Sequence, residues 1–409
     1  MSYFLVLGAG MIGVSTALEL QSRGHVVTLV DRRAPGQETS FGNAGVIQAE
    51  AAEPYALPRD LPTLLKYALG RSNDVTWSVS GVLRMAPALW SYFRHSAPAR
   101  HRRIAQVYTQ LTRCATEDHA PLIMAAGADN LIIREGMTLV YRDVRALDAA
   151  AREAERMRQS YGVSSRVLDT GALKAEEPAL TGEPAGAIHM LQSWSCSDPG
   201  GLTAAYAELF RQRGGRIVEA DALTLSREGS SWNVYGPDGG VSGEQVVVAL
   251  GPWSPELLRR FGIRISMIYK RGYHAHYHAP RALRRPMLDT DCGIVAASMR
   301  GGLRLSSGAA LVDLGAVPLP RQLGYGATKI GELFETGPRI DEPQWTGTRP
   351  CMPDMLPVVG PAPGLSNMWL NFGHGHHGFT LGPTSARVLA DAISGDSNDL
   401  IASLALSDR

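Results

Sequence analysis

Three groups of residues in this chain have the types and spacing to do chemistry. The first is Gly8-Ala9-Gly10-Met11-Ile12-Gly13, set between an apolar run at 3–7 and a helical stretch at 14–23. In such a loop Gly8 permits the tight turn, Gly10 lets the backbone approach a pyrophosphate, and Gly13 lets the helix pack close to the strand. A second apolar run, 26–30, ends on Asp31, where a carboxylate accepts ribose hydroxyls. Strand, loop, helix, strand and acid at this spacing predict a dinucleotide site; glycines merely punctuating a βαβ unit are the competing reading. The second group is Trp345-Thr346-Gly347-Thr348-Arg349-Pro350. An arginine in a loop stiffened by glycine and proline suits bidentate clamping of a carboxylate, against the alternative of a structural salt bridge. The third is Gly373-His374-Gly375-His376-His377-Gly378-Phe379-Thr380, between a last strand at 368–372 and a helix at 382–393. A loop opening a helix presents backbone amides and a positive dipole end to whatever sits there.

Other segments must position these groups. Glu38-Thr39-Ser40-Phe41-Gly42-Asn43-Ala44-Gly45 is a loop of small residues with hydroxyl and amide groups, able to thread under a flat ring system. The stretch 222–251 reads as β-segments around the turn Pro237-Asp238-Gly239-Gly240, closing with a buried strand that runs into Gly251 and Trp253. Trp253 is equally well explained as core packing. An extended strand at 268–278 carries His274, His276 and His278 on one face. No carboxylate or cysteine accompanies them at metal-ligand spacing, so they read as ordinary strand histidines and no metal is expected. Asp198 and Pro199 cap a helix, and 148–180 reads as surface helix.

Composition bounds the rest. The 409 residues carry 40 Lys+Arg against 39 Asp+Glu, and 44% are hydrophobic, which excludes a disordered chain and argues against a nucleic-acid binder. No apolar run approaches the ~18 residues of a membrane span. The 44 glycines have no repeating period and imply many tight turns. Cys114, Cys196, Cys292 and Cys351 are scattered, without disulfide or zinc spacing. A strand beginning at residue 3 leaves no room for a cleavable signal, so the cytoplasmic side is expected. Between 59 and 113, nine basic residues stand against Asp60 and Asp74, a local charge of +7 interleaved with aromatics. A solvated helix face is the ordinary cause; docking on an acidic partner or the inner face of the cytoplasmic membrane is the sharper one.

The GAGMIG loop, the ETSFGNAG segment and the aromatic stretch 64–93 together resemble the D-amino acid oxidase (DAO) family of FAD-dependent oxidoreductases, within it the bacterial D-amino acid dehydrogenase branch. Motifs at Gly251, 270–273 and 345–350 extend the likeness over nearly the whole chain. The resemblance implies an α/β fold: a doubly wound, Rossmann-like FAD domain of the glutathione-reductase type, interleaved with an α+β substrate domain containing an antiparallel sheet. The expected boundaries are 1–50, 147–265 and 340–409 for FAD, and 51–146 and 266–339 for substrate. It implies non-covalent FAD held by Gly8, Gly10, Met11, Ile12, Gly13, Asp31, Arg32, Ser40, Asn43, Ala44, Gly45, Leu223, Gly251, Trp253, His374, His377, Gly378, Phe379 and Thr380. Arg349 would clamp the substrate carboxylate, helped by Arg271 or Tyr273. In the glycine oxidase branch the 373–380 loop supplies a second carboxylate-binding arginine; here that position is His376, so amino-acid selectivity does not carry over. Some sarcosine oxidases tether flavin through a cysteine in this region, but Cys351 does not match their local spacing. The implied reaction is oxidative deamination of an amino acid, with a D-configured one implied by the likeness alone. Hydride leaves the α-carbon for flavin, the imino acid hydrolyses to a 2-oxo acid and ammonia, and electrons pass to quinone or a carrier protein. Two alternatives stay open: a secondary-amine dehydrogenase or oxidase (D-proline, hydroxyproline, sarcosine, glycine), and a flavoprotein subunit of a hetero-oligomeric electron-transfer complex.

Overall fold

A computed structural model describes residues 1–340 and 342–406. Five parallel strands, Arg216–Glu219, Val26–Asp31, Tyr3–Leu7, Gln245–Val248 and Met368–Phe372, lie side by side in that order, and Val358–Pro361 closes the edge antiparallel. The Val- and Leu-rich central strands are the kind that must be covered on both faces. Phe4 and Val6 face one core, built with the helices Met11–Ser22, Pro199–Gln212 and Gly382–Ile393. Leu5 and Leu7 face a second core, roofed by the three-stranded meander Asp221–Glu228, Ser231–Gly236 and Gly239–Gly243 with the fully buried Trp232. One side of the sheet is therefore covered by helices and the other by a small sheet.

The second layer is a mixed sheet, ten-stranded among the described residues, whose axis is the long strand Ile268–Tyr277. That strand pairs antiparallel with Gly302–Ser306 and Ala309–Leu311 on one side and with all seven residues of Trp345–Cys351 on the other. Sheet membership moves the expected boundaries. Ser165–Asp169 and Gly186–Met190 pair with one another, and the latter with Met137–Tyr141, so residues near 147–190 go with the substrate sheet rather than the FAD sheet. Trp345–Cys351 moves the same way. Conversely, the helices Pro98–Thr112 and Ala115–Ala125 place Tyr108, Leu111 and Ile123 in the core of the FAD domain. Each element's amphipathicity is local, whereas the layer that covers its apolar face is set by long-range pairing.

His119 pins those helices to the site loop. Its Nδ1 accepts from the Tyr206 hydroxyl at 2.9 Å, and its Nε2 donates to the carbonyls of Phe379 and Thr380 at 3.1 and 3.2 Å. Burial pushes its pKa down to about 4 from 6.5. The unfolded chain therefore takes up a proton near pH 6.5 that the folded protein refuses until about pH 4, and stability is lost as pH falls through that window. Replacing His119→Gln removes this dependence: between about pH 7 and pH 5 the variant should lose about 2 kcal/mol less stability than wild type in denaturant titrations.

Candidate active site

One cavity of about 500 Å³ runs from the glycine loop to Arg349. At its nucleotide end the backbone is brought close by residues without side chains. Gly8 has φ +105°, and a Cβ there would sit 2.5 Å from the Ala249 carbonyl. A Cβ on Gly13 would lie 1.7 Å from the Gly8 carbonyl, so only glycine allows the helix to start against the strand. The Met11 amide donates to Ser40 Oγ at 3.0 Å, which joins the glycine loop to the 38–45 loop. Asp31 accepts from the Ala9 amide at 2.6 Å and the Arg33 amide at 3.0 Å; burial raises its pKa against these bonds. Arg32 lies over the Trp253 ring at 4.7 Å and pairs with Glu38.

Of the residues expected at the cofactor, Gly8, Gly10, Met11, Ile12, Asp31 and Arg32 line the cavity, as do Ser40, Asn43 and Ala44. Leu223, Gly251 and Trp253 line it as well, as do His374, Gly378 and Phe379 from the C-terminal loop. Gly13, Gly45, His377 and Thr380 are not on its surface. Gly13 and Gly45 act by close packing. His377 bonds the Tyr108 hydroxyl at 2.5 Å and Gln48 Oε1 at 3.1 Å, and Thr380 donates to the Val46 carbonyl. Three buried polar atoms of cavity-lining residues have no hydrogen-bond partner among the described residues: His374 Nε2, Asn371 Oδ1 and Ser306 Oγ.

At the other end, Arg349 reaches across Gly272; a Cβ on Gly272 would lie 2.8 Å from its Nη1. The guanidinium donates to the carbonyls of Gly308 at 2.9 Å and Ser307 at 3.2 Å, which leaves three of its five N–H groups unassigned. Burial lowers its pKa, and among the described residues no carboxylate pairs with it. Lys270 stands directly opposite Arg349 in the strand register and also lines the cavity. Its Nζ donates to the Tyr92 hydroxyl at 3.1 Å and lies 4.5 Å from the centre of that ring. Strand alternation turns the neighbouring Arg271 to the other face, where it donates to the carbonyls of Asp313, Leu314 and Ala316. Arg271 is therefore not at the cavity, and Lys270 is the cation that sequence reading passed over. Tyr273 borders the cavity, but its side chain shares the face of Arg271, packing with Ala275 and Leu305 and accepting from the Leu319 amide at 3.4 Å, so it is not placed to help Arg349. His376 lines it too, against the Tyr55 ring, and is held neutral by burial and by Arg349.

The strand histidines divide. His278 is exposed, while His274 and His276 are buried beside Glu342, with ligand-type atoms within 4.8 Å of one another. That carboxylate was invisible at local spacing because it lies on a different segment. Both nitrogens of His276 are engaged: Nε2 accepts from Arg304 Nε at 3.0 Å, so Nδ1 carries the proton and donates to Glu342 at 3.0 Å. Arg304 Nη1 in turn donates to the carbonyls of Phe41 and Asn43 at 3.1 and 2.7 Å. A guanidinium at the imidazole disfavours a further cation, and the group serves as a clamp on the 38–45 loop.

A sequence profile described as FAD-dependent oxidoreductase (DAO) matches residues 4–392. The chain belongs to the DAO family. A D-amino acid dehydrogenase of Paramagnetospirillum magneticum is 32% identical, covering 96% of this chain and 94% of its own. Another, from Dechloromonas aromatica, is 31% identical with 96% of each chain covered. Among solved structures, glycine oxidase from Geobacillus kaustophilus superposes with a TM-score of 0.73 at 20% identity over the full length of both chains, a likeness of fold.

For a DAO-family flavoenzyme the cavity fits FAD: a glycine cradle and ribose-side acid at one end, and orphaned buried polar atoms of its lining residues farther along. Bound there, FAD supplies a two-electron acceptor for hydride. Cys351 is buried, and burial raises its thiol pKa although Lys270 and Arg349 oppose this, so it stays a poor nucleophile. Two substitutions separate the ends of the cavity. Gly13→Val should abolish FAD retention through purification. Gly272→Val should retain FAD while raising the substrate KM by about tenfold or more, read as flavin content and steady-state kinetics on the same preparation.

Proposed function

We propose that this enzyme oxidises a D-amino acid at its α-carbon and passes the electrons to a lipophilic quinone at the membrane. The observation that carries the first half is Arg349: a guanidinium on a cavity wall, held by two carbonyls, with no carboxylate partner among the described residues. Burying a cation unpaired is costly unless an anion arrives, and a planar carboxylate matches its remaining fork. The D-configuration rests on the relatives' names. In this reading Arg349 fixes the carboxylate and thereby the α-carbon, so catalysis is chiefly positioning. Tyr55, Tyr92 and the neutral His376 line this end without an anionic charge, and the Asp74 carboxylate is engaged by the Ser72 hydroxyl, which favours the neutral amine that hydride loss requires. Hydride transfer to the flavin and release of one N–H proton to water would leave the imino acid, which a further water converts to the 2-oxo acid and ammonia.

Anaerobic mixing of the FAD-loaded protein with D- and L-amino acids, imino acids and N-methylglycine tests this. D-Amino acids should bleach the flavin and yield 2-oxo acid, and bleaching by N-methylglycine or imino acids alone would favour the secondary-amine alternative. Arg349→Ala should weaken apparent substrate affinity by about 30-fold or more.

The acceptor half rests on an exposed apolar surface. No residue of the helix Leu61–Ala68 is buried, and Leu61, Leu83 and Trp90 are 67%, 70% and 63% exposed. Leu65, Leu69, Trp77 and Val79 are exposed beside them, with Arg59, Lys66, Arg71, Arg84 and Arg94 interspersed. Apolar anchors with a basic rim are complementary to an anionic lipid surface. Tyr67, Leu89 and Tyr92, from the same elements, line the cavity, so this surface lies beside the substrate end. No helix among the described residues is long and apolar enough to cross a membrane. The protein should float with vesicles rich in phosphatidylglycerol and less with phosphatidylcholine alone. Leu65→Glu with Leu83→Glu should abolish flotation while leaving bleaching by substrate unchanged; unchanged flotation would contradict this surface.

A further inference from the structure

We infer that the substrate carries a second carboxylate on its side chain, bound by Lys270, which makes this site selective for acidic amino acids. The inference rests on the reading of Arg349 as the α-carboxylate clamp. Lys270 and Arg349 are cross-strand partners in the antiparallel pair, on the same face and both on the cavity wall. Like charges directly opposite one another destabilise a sheet, so two unpaired cations placed there need a compensating anion. The described residues supply none: neither side chain has an ion pair among them. Asp74 comes near but points elsewhere. Its Oδ2 accepts from the Ser72 hydroxyl at 2.9 Å, and its Oδ1 is directed at Gly293.

One α-carboxylate neutralises one of the two cations and leaves the other facing a desolvated cavity. Lys270 Nζ spends one donor on the Tyr92 hydroxyl and has two left. Burial works to lower its pKa, but the neighbouring Cys351 and Tyr92 groups outweigh this and raise it, so the group stays an ammonium. A flexible ammonium is a point charge that takes a carboxylate without demanding bidentate geometry, unlike the planar fork of Arg349. The two cations thus divide the work: the guanidinium orients the reacting end, and the ammonium selects the far end. Aspartate- and glutamate-class substrates, or secondary amines bearing two carboxylates, have this charge pattern.

Binding of unreactive acids to the FAD-loaded protein tests the inference apart from turnover. Succinate and glutarate should perturb the flavin spectrum at concentrations about 30-fold or more below propionate and butyrate. Lys270→Met should erase that difference while still binding monocarboxylates. In parallel, D-aspartate or D-glutamate should bleach the flavin with higher kcat/KM than D-alanine or D-leucine, and Lys270→Met should invert the ratio. Equal binding of mono- and dicarboxylates, or a ratio unmoved by Lys270→Met, overturns the inference even where neutral D-amino acids bleach the flavin. Dicarboxylate preference without bleaching by any amino acid would instead overturn the oxidation reading and leave the two-cation site standing. Flavin content and the near-ultraviolet spectrum of each variant report whether it has folded.

Discussion

A guanidinium that meets no carboxylate among the described residues is the constraint on which the substrate end of this protein depends. Among the described residues Arg349 is held by the carbonyls of Ser307 and Gly308 and forms no ion pair. Gly272 clears its path, Trp345–Cys351 fixes its register along seven paired residues, and Asp74, an acid lining the same cavity, is tied to Ser72. Removing a charge from water costs several kcal/mol unless it is repaid. A fold that retains such a charge on a cavity wall has kept it for a ligand.

That constraint explains the interleaved chain. The long strand Ile268–Tyr277 carries Lys270 and Gly272 on the face that meets Arg349, and His276, buried farther along, meets Glu342 and Arg304. Arg304 then grips the Phe41 and Asn43 carbonyls of the loop bonded to the glycine cradle through Ser40. Substrate end and nucleotide end are thus connected by hydrogen bonds that run through one strand. A separate substrate domain joined by a flexible linker would lack this coupling, and cutting the chain at any single boundary would break it.

Much of the nucleotide end was legible in the sequence because its chemistry is local. Gly8, Gly10, Gly13 and Asp31 lie within one βαβ unit, where spacing alone determines geometry. The substrate end was less legible because it depends on parity and pairing. A strand one residue out of phase exchanges its faces, and this is why Arg271, rather than Lys270, drew attention at 270–273. The same limit hid Glu342, whose proximity to His274 and His276 arises only when distant segments meet. The sheet membership of 147–190 escaped local reading too, since a solvated helical pattern does not say which sheet it covers. The basic stretch 59–113 was visible as charge interleaved with aromatics, but not the exposure of its leucines and tryptophans, which gives it an apolar surface.

Binding of a simple carboxylate lacking an amine, followed by perturbation of the flavin absorbance in wild type and Arg349→Ala, tests the central claim most directly. Such a ligand reports the clamp without turnover, acceptor or stereochemistry. Saturable perturbation in wild type that weakens by about 30-fold or more in the variant, with flavin content unchanged, is the result expected. Equal affinity in the two proteins would contradict the account, because the unpaired guanidinium would then have no anion to answer for it.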